Sequence, residues 1–205
     1  MKRILFLLWG LLVFYQVGAQ NRKIAFEKTT LREALNKASS ERKLTFVDCY
    51  TEYCGPCKTM DALVFTLDSV ADFFNSNFVN VKLDMLSEDG KQYADKYKIG
   101  AYPSFLLLNG KGELLYKFVG GKSADVFMAE IRKGMKPDNR VKSMDDTYAT
   151  GKYSNDFLRE YVQLKLQLLE KGESLRLGKE YFDKISPEER LQPENWFLFA
   201  DRTLG

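Results

Sequence analysis

The period of the hydrophobic pattern changes several times along this chain, and each change predicts an element. Lys23-Ile24-Ala25-Phe26 is a short candidate strand. From Thr30, apolar residues recur at helical spacing (Leu31, Ala34, Leu35, Ala38), and Thr30-x-x-Glu33 forms a capping box that opens that helix. Leu44-Thr45-Phe46-Val47-Asp48-Cys49-Tyr50 is an apolar run of strand length, as expected of a buried strand. The spacing from Thr59 through Met60, Leu63 and Val64 predicts one helix ending near Phe74. Phe78 to Asp84 alternates as a strand, and Gly90 to Tyr97 reads as a short helix with Tyr93, Ala94 and Tyr97 on one side. Phe105 to Leu108 predicts another strand. Asn109-Gly110-Lys111-Gly112 is a hairpin turn, because glycine supplies positive φ without a steric clash, and Glu113 to Val119 is its partner strand. Gly120-Gly121 ends that strand, and Ser123 stands where it can cap a helix carrying Val126, Phe127, Ala129 and Ile131.

Early alternation of strand and helix, followed by a hairpin, predicts an α/β fold with a central mixed sheet flanked by helices on both faces. Pro137 to Ser143 is polar and turn-rich and marks a boundary. Beyond it the pattern is helical only. Tyr153, Phe157, Tyr161, Leu164 and Leu168 share one face, and Gly172 is a natural stop. A second helix is expected from Ser174 to Ile185, and Ser186-Pro187-Glu188-Glu189 opens a third. The reading is therefore a domain over 23–136, a linker over 137–144 and an all-α segment over 145–205. The apolar run Asn195-Trp196-Phe197-Leu198-Phe199 looks like the opening of a fourth helix and lies close to Gly205, so a truncated helical-repeat region is expected.

The N-terminus changes the compartment. Met1-Lys2-Arg3 is basic, Ile4 to Tyr15 is almost wholly apolar, and Val17-Gly18-Ala19 supplies small residues. This predicts a signal peptide over 1–19, cleaved after Ala19, and an exported, periplasmic chain. The alternative is an uncleaved anchor, but the apolar run is shorter than the ~20 residues that comfortably span a bilayer. Composition is that of a soluble globular protein, 45% hydrophobic and 29% charged. The formal net charge of +3 includes Lys2 and Arg3, and no basic run interleaves with aromatics, so no nucleic-acid partner is expected.

Cysteine and histidine usage then narrows the chemistry. The chain has 3 Cys and 0 His. Cys49, Cys54 and Cys57 are too clustered to staple a small scaffold. Without histidine, His-based metal sites and Ser-His-Asp or Cys-His nucleophiles are excluded. Cys54-Gly55-Pro56-Cys57 lies at a strand-to-helix junction, where the helix dipole and free N–H groups favour a thiolate on the first sulfur. The second is one turn on, close enough to attack a mixed disulfide. Half of a zinc site would need two more ligands, of which only Cys49 is at hand, and Cys49 reads as a buried, inert thiol. A static structural disulfide stays open at this point. No metal and no cofactor besides the dithiol is expected.

Phe46-Val47-Asp48-Cys49-Tyr50-Thr51-Glu52-Tyr53-Cys54-Gly55-Pro56-Cys57-Lys58 resembles the active-site strand and turn of the thioredoxin family. Tyr102-Pro103-Ser104-Phe105-Leu106-Leu107-Leu108 resembles its cis-proline strand, and Asn109 to Glu113 and Gly120-Gly121 also match. The resemblance covers about Lys23 to Lys136 and implies a thioredoxin fold. It is similar overall to exported thioredoxin-like oxidoreductases of Bacteroidetes-type bacteria. It implies that Cys54 attacks, that Cys57 resolves, and that Asp48, faced by Lys82, relays the resolving thiol's proton. It also implies a substrate surface made of Tyr53, Gly55, Pro56, Tyr102 and a cis Pro103. Tyr53 replaces the family's usual tryptophan, Cys49 and Tyr50 replace usual aromatics, and Tyr102 is bulkier than usual.

The expected function is thus a periplasmic thiol:disulfide oxidoreductase acting on exported proteins. The Gly-Pro dipeptide resembles that of reducing members, which implies an electron donor such as a membrane thiol reductase. The competing reading is a non-enzymatic, redox-sensitive scaffold that binds partners through its C-terminal helices. A peroxiredoxin-like peroxidase lacks its Thr-x-x-Cys context.

Overall fold

The computed structural model describes residues 22–136 and 140–200. The expected signal peptide and the Pro137–Asn139 part of the expected linker lie outside those residues. Among the described residues five strands form one sheet in the order β1-β3-β2-β4-β5. They are β1 (Phe26–Glu27), β2 (Leu44–Tyr50), β3 (Phe78–Asp84), β4 (Ser104–Leu108) and β5 (Leu114–Val119). β1, β3 and β2 run parallel, while β4 and β5 are antiparallel to their neighbours. The sheet is mixed, as expected.

Strand alternation sorts the core onto two faces. Phe46 and Phe105 turn to one face, where they join Phe65, Phe74, Phe118 and Phe127. Val47, Cys49, Leu106 and Leu108 turn to the other, with Leu31 and Tyr97. The first face is covered by α2 (Gly55–Leu63), α3 (Asp68–Asn77) and α5 (Ala124–Gly134), the second by α1 (Leu31–Glu41) and α4 (Glu88–Tyr97). The Thr30 hydroxyl accepts from the Glu33 N–H and the Glu33 carboxylate from the Thr30 N–H, so the predicted capping box opens α1. α4 starts earlier than its pattern suggested, capped by Ser87. A Cβ at Gly90 would lie 2.0 Å from the Asp84 carbonyl oxygen, so this position must be glycine for α4 to approach the end of β3.

The helix predicted to reach Phe74 is two helices, because Val64 and Phe65 both turn into the core and break the line at Val64–Leu67. The first strand is only Phe26–Glu27, because the N–H groups of Ile24 and Ala25 donate to the Phe65 carbonyl (2.9 Å) and the Asn75 side chain (2.8 Å). Ser123 is the residue before α5, but its side chain makes no capping hydrogen bond.

The C-terminal segment holds α6 (Arg140–Ala149), α7 (Asn155–Gln167), α8 (Lys171–Lys184), α9 (Pro187–Arg190), a 3₁₀ turn at Pro193–Asn195 and α10 (Phe197–Ala200). Residues 140–144, read as linker, are already α6. Gly172 lies inside α8, and the chain turns earlier, at Leu168-Leu169-Glu170, with Leu169 in the left-handed region (φ 53°). Val141, Met144, Leu158, Leu164 and Leu168 belong to the same apolar cluster as Tyr116 and Phe118. α6 also packs against β5, an otherwise open sheet edge. The helices thus share a core with the sheet. Among the described residues no helix is long and apolar enough to cross a membrane.

Candidate active site

Cys54 and Cys57 are joined as a disulfide, with S–S 2.08 Å and Cα–Cα 5.3 Å. A turn closed by the Cys54 N–H on the Thr51 carbonyl (3.1 Å) brings the chain from β2 to this point. Cys54 is the N-cap of α2, and its Sγ accepts from the backbone N–H of Cys57 at 3.1 Å. A sulfur in place of the usual capping oxygen is therefore held at the positive end of the helix. In the reduced state the same N–H favours the Cys54 thiolate. Cys54 is half-buried, whereas Cys57 is buried. The outer sulfur is the one a substrate can reach.

Gly55 and Pro56 are exposed in the first turn of α2. A Cβ at Gly55 would meet nothing within 4 Å, so glycine here keeps the approach to Cys54 open. Tyr53 is 85% exposed beside them. The Tyr102–Pro103 bond is cis, as expected, and Pro103 is buried with its carbonyl accepting from the Gly120 N–H at 2.8 Å. Ser104 pairs with Cys49, which places Pro103 at the end of the sheet where β2 runs out toward Cys54. No turn or loop hydrogen bond engages the Tyr102 N–H or carbonyl among the described residues. Its ring packs against the Val47–Cys49 face. Next to Pro56, Met60, Leu63, Gly121 and Ala124 line a largely apolar hollow of ≈ 510 Å³.

Asp48 is 1% exposed and lies in register with Lys82 on β3. Lys82 Nζ is 3.1 Å from Asp48 Oδ2 and also pairs with Asp61. Neither Asp48 oxygen has a hydrogen bond of good geometry. Burial pushes the Asp48 carboxyl up to about 6, against the pull of Lys82 and with help from the Asp61 charge. Burial opposes the ammonium of Lys82, but its two carboxylate partners outweigh that and hold it above the ordinary lysine value. Lys82 also sits over the rings of Phe26, Tyr50 and Phe65. Cys49, on the opposite sheet face, is free and wholly buried, and burial pushes its thiol far up. It stands apart from the disulfide.

Asp61 is the member that the sequence pattern did not reveal. It lies four residues after Cys57 on α2, hence on the same helix face one turn on, and that spacing is the signal that could have found it. Through Lys82 it ties Asp48 to the helix that carries Cys57. Asp61→Asn is expected to move the Asp48 carboxyl midpoint below about 6, because Lys82 then serves one carboxylate and a neighbouring negative charge is gone. Carbon-13 NMR titration of the Asp48 carboxyl checks this, and an unchanged midpoint would refute the shared-lysine account.

Among the described residues no group of three or more potential ligands is arranged to hold a metal ion. What the arrangement can do is exchange one disulfide for another. Similarity to known proteins agrees with this chemistry. The thioredoxin family profile matches residues 23–133. Thioredoxin Y1 of Arabidopsis thaliana is 31% identical over 115 residues, covering 56% of this chain and 63% of that protein. A protein disulfide-isomerase of Datisca glomerata is 22% identical over 108 residues, 52% of this chain and 21% of that one. The chain therefore spans less than two thirds of the length of either relative. A Bacteroides thetaiotaomicron protein of known solution structure, provisionally described as a disulphide-isomerase, is 42% identical with a TM-score of 0.54. That match covers 58% of this chain and 98% of the other. With its Cys54–Cys57 disulfide, this chain belongs to the thioredoxin family.

Proposed function

We propose that this protein is a periplasmic reductase of disulfides in exported proteins, with a membrane thiol reductase as its electron donor. The observation that carries the chemistry is a reachable Cys54 sulfur at the start of α2; the buried Asp48 is tied to the same helix through Lys82 and Asp61, and burial raises its carboxyl to about 6. The basic-apolar-small pattern over 1–19 supports export, and the Gly55-Pro56 dipeptide supports the reducing direction.

In the proposed cycle an extended substrate segment lies against Tyr102 as an added strand, using the backbone groups that the protein leaves open. Tyr53, Leu63 and the hollow beside Pro56 offer apolar contact for its side chains. The Cys54 thiolate attacks one sulfur of the substrate disulfide, the substrate S–S bond breaks, and the first substrate thiolate leaves. Asp48 accepts the Cys57 proton, and the Cys57 thiolate attacks Cys54. The second substrate thiolate leaves, the substrate has gained two electrons, and the Cys54–Cys57 disulfide is restored. The donor reductase returns the pair to the dithiol.

Insulin reduction by dithiothreitol tests the activity. The full-length protein should accelerate it, and Cys54→Ser should return the rate to that of dithiothreitol alone. No acceleration over that variant would remove the enzyme reading.

A further inference from the structure

The C-terminal helices meet the thioredoxin-like part at the approach to Pro103. Lys117, on β5, is wholly buried. Its ammonium donates to the carbonyls of Tyr97 (3.1 Å) and Lys98 (3.0 Å), the residues that end α4, and pairs with Glu170 in the α7–α8 turn. Glu170 is itself buried and lies 3.3 Å from Lys165, whose ammonium pairs with Asp145 on α6 at 2.8 Å. The Tyr161 hydroxyl donates to the same Asp145 oxygen at 2.7 Å. One charged chain thus runs from α6 and α7 through the Leu168-Leu169-Glu170 turn to the end of α4.

Two further contacts grip the next residues. Lys98 is in the left-handed region (φ 51°), and its ammonium pairs with Glu173 of α8 at 2.6 Å. A Cβ on Gly100 would sit 2.2 Å from the Leu169 carbonyl oxygen, so the turn's backbone lies directly on this glycine. Only Ala101 separates Gly100 from Tyr102, whose backbone is open to a substrate. From there the chain is tied down by the Ser104 hydroxyl on the Ala101 carbonyl (2.7 Å). A buried charge pair is costly unless its geometry is held, and here both ends are held across the seam between the two parts.

We propose that the C-terminal helices position the substrate-pairing segment Gly100–Pro103 through the Leu168–Glu170 turn, so that Glu170 and Gly100 set the binding of protein substrates and not the disulfide chemistry. This rests on the oxidoreductase reading above. A protein disulfide must lie along Tyr102 to react, whereas a small disulfide needs only the Cys54 sulfur. Loss of the turn's hold therefore affects the two differently, because a displaced segment pairs less well with the substrate backbone and loses binding that is equal in the ground and transition states.

The test compares insulin with glutathione disulfide as substrates of the full-length protein, of Gly100→Ala and of Glu170→Gln. Glu170→Gln leaves Lys117 buried without its counter-charge, so the double variant Lys117→Met/Glu170→Leu, which removes both charges together, is measured beside it. Each variant is expected to raise KM for insulin by about tenfold, with the insulin kcat and the rate toward glutathione disulfide within about twofold of the parent. An unchanged insulin KM in the folded variants, or an equal loss toward both disulfides, would overturn the positioning role alone. A parent protein inert toward both would overturn the oxidoreductase reading and this inference with it.

Discussion

Cys57→Ser is expected to turn the protein from a catalyst into a trap. The reachable Cys54 thiolate still attacks a substrate disulfide, but no second protein thiol is at hand to release the product. Cys57 is buried one turn inside α2, so no outside thiol of protein size reaches the same position. Insulin turnover should fall to the dithiothreitol background, and when the pre-reduced variant is mixed with insulin after dithiothreitol is removed, a mixed disulfide between Cys54 and an insulin chain should accumulate. Non-reducing mass spectrometry checks it, and the adduct should vanish in Cys54→Ser. An adduct on Cys49 instead would contradict the assignment of roles.

Asp48→Asn is expected to slow turnover and stabilise the fold together. As a general base, the carboxylate is worth about 10²-fold or more in rate. The pH dependence follows from its environment. Burial raises the carboxyl from 3.8 to about 6, so the folded state binds the proton more tightly than the unfolded chain does. The stability this contributes is fully present below pH 3.8 and is lost as pH rises through about 6. Above that the folded protein carries a buried charge at a cost of about 3 kcal/mol. Asparagine removes the charge and leaves Lys82 paired with Asp61. At neutral pH urea unfolding should show a gain of up to about 3 kcal/mol, and the gain should disappear in acid. The insulin rate of the parent should rise through about pH 6, and that limb should be missing in Asp48→Asn. A less stable variant at neutral pH would mean that Asp48 is there for structure.

Much of this was legible locally. The apolar run Leu44–Tyr50, the alternation of Phe78–Asp84 and the Thr30–Glu33 box each specify an element through neighbours in sequence, and each element formed. The Cys54–Cys57 spacing marked the site locally, whereas the residues around Pro103 marked it only through their resemblance to the thioredoxin family. What was hidden depends on contacts distant in sequence. The break after Leu63 follows from Phe65 entering the ring cluster of Phe26, Phe46, Phe105 and Phe127, which helical periodicity alone does not reveal. Lys117 alternates with Tyr116 and Phe118 and so reads as solvent-facing. It is buried because Glu170, fifty-three positions on, closes over it. The helices beyond residue 140 read as a separate segment because their apolar faces gave no hint that β5 would complete them.

The direction of electron flow is the centre of the proposal, and the reduction potential of the Cys54–Cys57 pair tests it most directly. The full-length protein is equilibrated against glutathione redox buffers, and the fraction oxidised is read by thiol alkylation. A reductase of exported disulfides predicts a value near the about −270 mV of thioredoxin. A value near the about −120 mV of the oxidant DsbA would contradict it.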